Sequence, residues 1–397
     1  MSANRVLASS RTFLSTWIER LRAGRKGAGP ETEGDRDEEF YYASQWDLMW
    51  WRFRQHKFAL VSAALLIVLY LVAIFAEFIM PYGAWDRVSE AAQAPPTRIH
   101  FRSPDGALRR PFVYRVARKV DRATYRWSYV ESEDKAYPIR FFTRGRPYKL
   151  LGLISTDRHL FGTDGGVGVW LFGLDLLGYD IFSRTVFGAR ISLFISLVGV
   201  ILTFFFGILI GGIAGYAGGL VDWGLERVGE LLRTIPTLPL LVMLSGVIPK
   251  SWPIVQTYFV MTIILSFVGW VGLARVVRGR LLSMREEDFA LAAQVTGCSN
   301  LRIIFRHLLP GFMSHLIASL TLSIPAMILG ETSLSYLGLG LYRPAVSWGV
   351  MLADTRDIQA IAHLPWMLIP AVWVLVTVLL FNFFGDGLRD AADPHRM

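Results

Sequence analysis

The side chains that could do chemistry in this chain are scattered. His56, His100, His159, His307, His315, His363 and His395 are the histidines, and none stands in HExxH spacing, which would set two imidazoles and a general base on one helix face. His307 and His315 lie too far apart to hold a metal from two adjacent helical turns. The single cysteine, Cys298, excludes an internal disulfide and a thiolate metal cluster. No serine sits in a nucleophile-elbow context. No GxxxxGK(S/T) loop is present to cradle phosphate, and Gly24-Arg25-Lys26-Gly27 is only a basic fragment. The residues point to no catalytic site, no metal and no cofactor, so any energy must come from another chain.

The segment Val277–Pro310 is more telling. It is long, polar and helix-forming, and it lies between two apolar runs. Ala292-Ala293, Gly297 and Pro310 are spaced for a short helix, a turn and a second helix. Such a device predicts docking on a soluble partner. Two acids fall at or near membrane depth, where charge is costly and function is the default expectation. Glu77, near the outer end of its apolar run, can reach headgroups. Glu331 precedes the Gly338/Gly340 turn and is expected either to brace that turn or to take part in gating. Asp222, Glu226 and Glu230 are expected in or beside a loop, solvated or docked on a partner.

These residues must be positioned by membrane helices. Of the 397 residues, 53% are apolar, and runs of about 20 apolar residues match ~30 Å of hydrocarbon. Six spans are predicted: Phe58–Met80, Ile191–Tyr216, Leu231–Val247, Tyr258–Val276, Leu316–Leu329 with its flanks, and Trp366–Phe384. Pro236, Pro239, Pro325 and Gly330 interrupt the third and fifth, as happens in spans packed inside a bundle. Arg52, Arg54 and Lys57, with Arg278, Arg280, Arg285, Arg302 and Arg306, place the approach to the first span and the polar segment in the cytoplasm. An even number of spans then puts both termini inside. The first 30 residues show no signal peptide; they suit an amphipathic surface helix or a disordered tail, followed by an acidic linker at Glu31–Glu39. Trp46, Trp50, Trp51 and Phe53 suggest an interfacial helix before the first span.

The net charge of +9 does not indicate nucleic acid, because residues 81–189 alone hold 17 Lys/Arg against 11 Asp/Glu. That region lies outside, which is permitted because long loops translocate largely regardless of charge. Within it, Phe112–Val120, Tyr125–Val130 and Tyr137–Thr143 are expected strands. In the second span Gly207, Gly211, Gly215 and Gly219 recur every four residues, a spacing that lets helices approach closely. The partner helix could belong to this chain or to a second, similar subunit.

Trp270–Pro310 resembles the EAA loop of binding-protein-dependent ABC importer permeases, and more narrowly that of the second permease of the dipeptide/oligopeptide (peptide/nickel) family. GYDIFSRTVFGARISL at Gly178–Leu193, GYAGGLVD at Gly215–Asp222, GETSLSYLGLGL at Gly330–Leu341, SWGVMLADTRD at Ser347–Asp357 and FNFFGDGLRDAADP at Phe381–Pro394 are similar to that family in the same order. With Ser44–Gly83 the likeness covers nearly the whole chain outside the tail and most of 81–177. It implies an all-α polytopic membrane protein of six transmembrane helices, a type I ABC importer transmembrane domain, carrying a small β-containing extracytoplasmic insertion.

The implied organisation is a cytoplasmic tail (1–43), an interfacial helix and first span (44–80), an enlarged outer insertion (81–177) and a core permease domain (178–397) with its coupling loop at 277–310. The resemblance places Asp288, Leu291, Ala292, Ala293, Gly297 and Pro310 at the ATPase-coupling site. Leu291 stands where the family has glutamate, so coupling is expected to rest on shape and small-residue contact. Gly207, Gly211, Gly215 and Gly219 are the subunit-packing candidates, and Glu331, Gly338 and Gly340 the gating candidates. The implied partners are a second permease, two ABC ATPases, an extracytoplasmic solute-binding protein and the lipid of a bacterial inner membrane. The expected solute is a di- or oligopeptide, with oligosaccharides or nickel complexes as alternatives. The insertion is expected to brace the binding protein or shield the channel mouth. A membrane enzyme would need clustered His, Asp and Glu in the outer region; a passive channel would need polar residues repeating along several spans. The sequence shows neither pattern.

Overall fold

The computed structural model describes residues 45–102, 108–120, 127–163, 167–249 and 251–392. The expected tail at 1–43 lies outside them. Helix α1 (Gln45–Gln55) is amphipathic, with Trp50 stacked on Phe53 at 5.9 Å between ring centroids.

Among the described residues, five helical passages are long and apolar enough to cross a membrane: Lys57–Ile74, Ile181–Ala217, Ile254–Met284, Asn300–Tyr336 and Pro365–Ala392. We label the helices α2 (Lys57–Ile74), α3 (Ala76–Ile79), α4 (Ile181–Ala217), α5 (Gly219–Thr234), α6 (Thr237–Gly246), α7 (Ile254–Met284), α8 (Asp288–Val295), α9 (Asn300–Arg302), α10 (Met313–Tyr336), α11 (Trp348–Ala353), α12 (Ile358–His363) and α13 (Ile369–Ala392). The pair α5–α6 is bent by 91°, the geometry of a broken span or of a re-entrant loop, and makes a sixth crossing when counted as one span. Leu231–Val247 is therefore not one straight span. The break falls at Ile235–Pro236, where proline biases the preceding residue away from helical backbone. The second span begins at Ile181 rather than Ile191, and its 37 residues extend about 55 Å, well beyond the hydrocarbon.

Paired contacts fix the helix directions. Gly207, Gly211 and Gly215 of α4 meet Leu273, Ala274 and Arg278 of α7 in ascending order, so these helices run parallel. α5 returns antiparallel to α7 through Asp222–Arg278 and Glu226–Arg275. α10 returns antiparallel to α4, with Gly199 against Met327 and Ser192 against Glu331. α13 runs antiparallel to α2, joining His56 to Asp390 at 3.1 Å. The bundle thus has an insertion end and a loop end. Its core is built on Leu193, Val200, Leu281, Leu308, Ile328 and Leu334.

The insertion carries a four-stranded antiparallel sheet in the order β1-β2-β3-β4: β1 His100–Arg102, β2 Leu108–Val120, β3 Trp127–Leu150 and β4 Ile154–Thr163. The described part of the segment expected at Tyr125–Val130, from Trp127 on, and the segment expected at Tyr137–Thr143 belong to one long strand, β3. Its first half pairs with β2 and its second with β4, and the change of partner falls at Pro138–Ile139. Proline cannot donate to a ladder, which suits it to that junction. Val113, Phe161 and Val169 pack with Phe182 of α4 and seat the sheet on the bundle.

Candidate functional site

At the loop end, α8 lies against the bundle on one face only. Ala290 and Ala293 are three residues apart, share that face and are buried in the main core. The opposite side presents Leu291 (45% exposed) and Val295 (89%), with Asp288, Phe289 and Ala292 also exposed. Ala292 and Ala293 therefore part company. Ala293 sets how closely the helix seats, and only Ala292 is open to a partner.

Gly297 ends the helix. Its φ of 78° lets its N–H donate to Gln294 O (2.9 Å) while Cys298 N–H donates to Ala293 O (3.1 Å), a Schellman closure. A Cβ on Gly297 would meet nothing within 4 Å, so backbone conformation and not crowding requires glycine here. Beyond the turn, Leu301 and Phe305 extend the exposed apolar ridge, and Arg302 and Arg306 flank it. A cleft of about 480 Å³ opens beside α8, lined by Tyr216, Arg285, Leu291 and Gln294 among others.

The chain passes from this ridge into α10 as one helical passage, Asn300–Tyr336, with a local departure from helical backbone at Phe312 (φ −127°, ψ 19°). Pro310 cannot donate to the carbonyl four residues back, and the ladder accommodates it through a wide turn at Ile303–Leu308, where Leu309 N–H reaches Ile304 O, and a tight turn at Leu309–Phe312. Pro310 thus lies inside this passage, two residues before the departure at Phe312.

The glycine stripe divides. Added Cβ atoms on Gly207, Gly211 and Gly215 would come within 2.7, 2.3 and 2.8 Å of α7. These three are covered by this chain's own helix, which corrects the expectation of a second subunit against them. Gly219 lies off the stripe in open space, at φ 58°. The acids expected as solvated or docked are paired within the chain: Asp222 with Arg278, Glu226 with Arg275 at 2.6 Å, and Glu230 with Arg227.

At the insertion end, Glu331 is 1% exposed and accepts hydrogen bonds from Ser335 (2.8 Å), Ser347 (2.9 Å) and Ser192 (3.4 Å). Ser347 also accepts from Val350 N–H and caps α11, while Ser192 accepts from Trp348 N–H. One carboxylate thus joins α4, α10 and the start of α11. Gly338, at φ 77°, closes α10 in a second Schellman turn, with Gly338 N–H on Ser335 O and Leu339 N–H on Leu334 O. Gly340 packs so close that a Cβ would lie 2.7 Å from Ser335 N.

Two ion-pair groups at this end were missed in the sequence. Arg190 forks onto both Glu77 oxygens (2.5 and 2.6 Å) and also donates to Ala73 and Ile74 carbonyls, fixing the end of α2 to α4. Arg184 donates to Asp175 at 2.9 Å, Asp175 also faces Arg343, and Arg343 pairs with Asp354. Both guanidinium groups lie over the Tyr179 ring. Arginine in the first turns of an apolar run was the available signal, since it is stable there only when paired.

Residues 207–397 match the family described as binding-protein-dependent transport system inner membrane component, and residues 44–96 match the N-terminal TM domain of oligopeptide transport permease C. The oligopeptide transport system permease protein OppC of Bacillus subtilis (strain 168) is 39% identical over 224 residues, 56% of this chain and 71% of that protein. The dipeptide transport system permease protein DppC of the same organism is 40% identical over 224 residues, 56% of this chain and 68% of that protein. The OppC protein of Haemophilus influenzae is 37% identical over 228 residues, 57% of this chain and 71% of that protein.

Proposed function

The chain belongs to the dipeptide/oligopeptide permeases of binding-protein-dependent ABC transport systems, and on that premise we propose that it works as a force-transmitting half-channel whose loop end docks on a separate ATPase. The ridge formed by Leu291, Ala292 and Val295 inserts into the ATPase surface, and the turn closed by Gly297 holds the ridge at a fixed angle. The assembly contains a second permease, two ATPases and an extracytoplasmic binding protein that meets the insertion end. Imported solutes are di- and oligopeptides, in keeping with the names of the relatives.

The observation that carries this reading is the helical passage Asn300–Tyr336. It begins beside the exposed ridge and ends at the Glu331 brace. Closure of the ATPases would move α8, whose buried Ala290 and Ala293 leave no slack, and α10 would transmit the displacement as a lever. Because Glu331 ties α10 to α4 and α11, the insertion end would reorient with it, which is alternating access in mechanical terms. Gly338 and Gly340 shape the turn at that end, where the passage is gated. Both termini lie in the cytoplasm in this reading, which the arginines near the loop end support.

Purifying the chain with the products of adjacent genes and measuring ATP hydrolysis with and without the binding protein tests this function. Association with an ATPase, stimulated by liganded binding protein, is expected. Failure to associate with any ATPase would refute it.

A further inference from the structure

The β3–β4 hairpin ends in a tip that is unusual for a water-facing turn. Its sequence is Leu150-Leu151-Gly152-Leu153-Ile154. Leu153 N–H donates to Leu150 O at 3.0 Å, and Leu151 (φ 52°) and Gly152 (φ 75°) both have positive φ. That is the backbone of a type I′ turn, whose first central position ordinarily takes Asn or Asp. Here it holds a leucine in a conformation that disfavours it. Leu151, Leu153 (85% exposed) and Ile154 all project from the tip. Phe142, again at positive φ (57°), and Phe141 are exposed further down the hairpin. Apolar side chains concentrated on an exposed hairpin, two of them in left-handed backbone, call for an apolar surface to cover them.

The hairpin's position indicates which surface. His159 pins it to the end of the first span, with Nδ1 2.7 Å from Met80 O and Nε2 3.0 Å from Arg146 O. The Tyr148 ring lies tilted against His159 at 4.9 Å between centroids, and its phenol is pushed up by burial and by the charges of Glu77, one turn inside Met80, and Asp157. Phe142 meets Phe78 of α3 at 6.0 Å. Phe78 continues the outward-facing stripe of α2, on which Phe58, Val61, Leu65, Val68 and then Phe75 are exposed. The exposed apolar side of the first span thus meets the hairpin through the Phe78–Phe142 contact. Around it, residues 139–163 carry Arg140, Arg144, Arg146, Lys149 and Arg158 against the single acid Asp157. Aliphatic and aromatic groups collared by cations match the boundary between acyl chains and anionic headgroups.

We propose that the β3–β4 hairpin is a membrane-interface anchor: Leu151, Leu153 and Ile154 enter the leaflet on the insertion side, and the flanking Lys149 and Arg158 engage anionic lipid headgroups. The anchor fixes the sheet relative to the bilayer at one end and leaves the β2–β3 end free for other contacts. The occupant is lipid, not a second protein, because the hairpin meets the exposed apolar side of the first span.

The single native cysteine simplifies the test. In a Cys298→Ser background, Leu153→Cys is labelled with the fluorophore NBD in the full chain, in nanodiscs of phosphatidylcholine with phosphatidylglycerol. Ser128→Cys, at the opposite end of β3, is the control. The Leu153 label is expected to be shielded from aqueous iodide and quenched by a headgroup-proximal lipid spin label about twofold or more above the control, as for a group buried at the interface. Lys149→Glu with Arg158→Glu should weaken that quenching in the anionic mixture and leave it unchanged in phosphatidylcholine alone. Ile154→Cys repeats the measurement should labelling at 153 disturb the turn. Iodide access equal to the control in the chain alone would overturn the proposal. Shielding that appears only after a binding protein or second permease is added would also overturn it and assign the tip to a protein interface.

Discussion

Glu331 and Ser347 meet at 2.9 Å across sixteen residues of chain, and this contact joins the end of the longest returning passage to the cap of α11. The carboxylate is enclosed and saturated by hydroxyls, so its first effect is mechanical. Glu331→Ala would leave three buried hydroxyls short of an acceptor and open a cavity. We expect a loss on the order of 3 kcal/mol, against about 1 kcal/mol for Ser347→Ala. Thermal unfolding midpoints in nanodiscs at one heating rate check the order. Equal midpoints for wild type and Glu331→Ala would remove Glu331 from the brace.

The Gly297 turn separates backbone from size. Gly297→Asn keeps access to left-handed backbone and should retain most coupled ATP hydrolysis. Gly297→Val must either adopt that backbone at a cost of about 1–2 kcal/mol or let the turn open, and should lose coupling while the chain still inserts. Similar activity for the two variants would show that the turn geometry does not matter.

The two adjacent alanines should respond oppositely. Ala293→Leu forces a larger side chain into the packed core and should cost about 1–3 kcal/mol, whereas Ala292→Leu should leave folding unchanged and weaken ATPase association. Stability and pull-down of the two variants decide this. A destabilised Ala292→Leu would mean that α8 packs in the other orientation.

Asp180 gives a pH dependence. It caps α4 by accepting from Ser183 N–H (2.9 Å) and Oγ (2.6 Å), and burial pushes its carboxyl up from 3.8 to about 7. The folded chain therefore holds this proton more tightly than the unfolded chain. Its contribution to stability is complete below about pH 4 and is lost as pH rises through about 7. Asp180→Asn keeps the cap and cannot ionise. It should flatten the stability profile between these limits and gain about 4 kcal/mol at most near pH 8. A wild-type profile that is already flat there would exclude a buried, protonated Asp180.

Much of this was legible locally. Apolar run length located α2, α7 and α13, and the spacing of Ala292, Ala293, Gly297 and Pro310 located the helix, the turn and the second helix of the loop. What escaped depends on partners distant in sequence. The first residues of α4 fell outside the expected span Ile191–Tyr216, and their Ser183, Arg184 and Arg190 are held by Asp180, Asp175 and Glu77, the last more than a hundred residues away. The strands of the insertion carry charge on both faces, which obscures the period of two, so β3 was divided into pieces and β4 was not recognised. The glycine spacing correctly indicated close approach, but spacing alone does not say which helix approaches.

The central claim is that the α8 ridge transmits force from an ATPase. The most direct test is ATP hydrolysis by the reconstituted assembly, stimulated by liganded binding protein, with this chain carrying Leu291→Asp and Val295→Asp. Both residues are exposed, so the chain should fold and insert normally. Binding-protein-stimulated hydrolysis and uptake should fall by about tenfold or more, as expected when one or two apolar anchors of an interface are lost. Wild-type stimulation and uptake by the doubly substituted assembly would contradict the account.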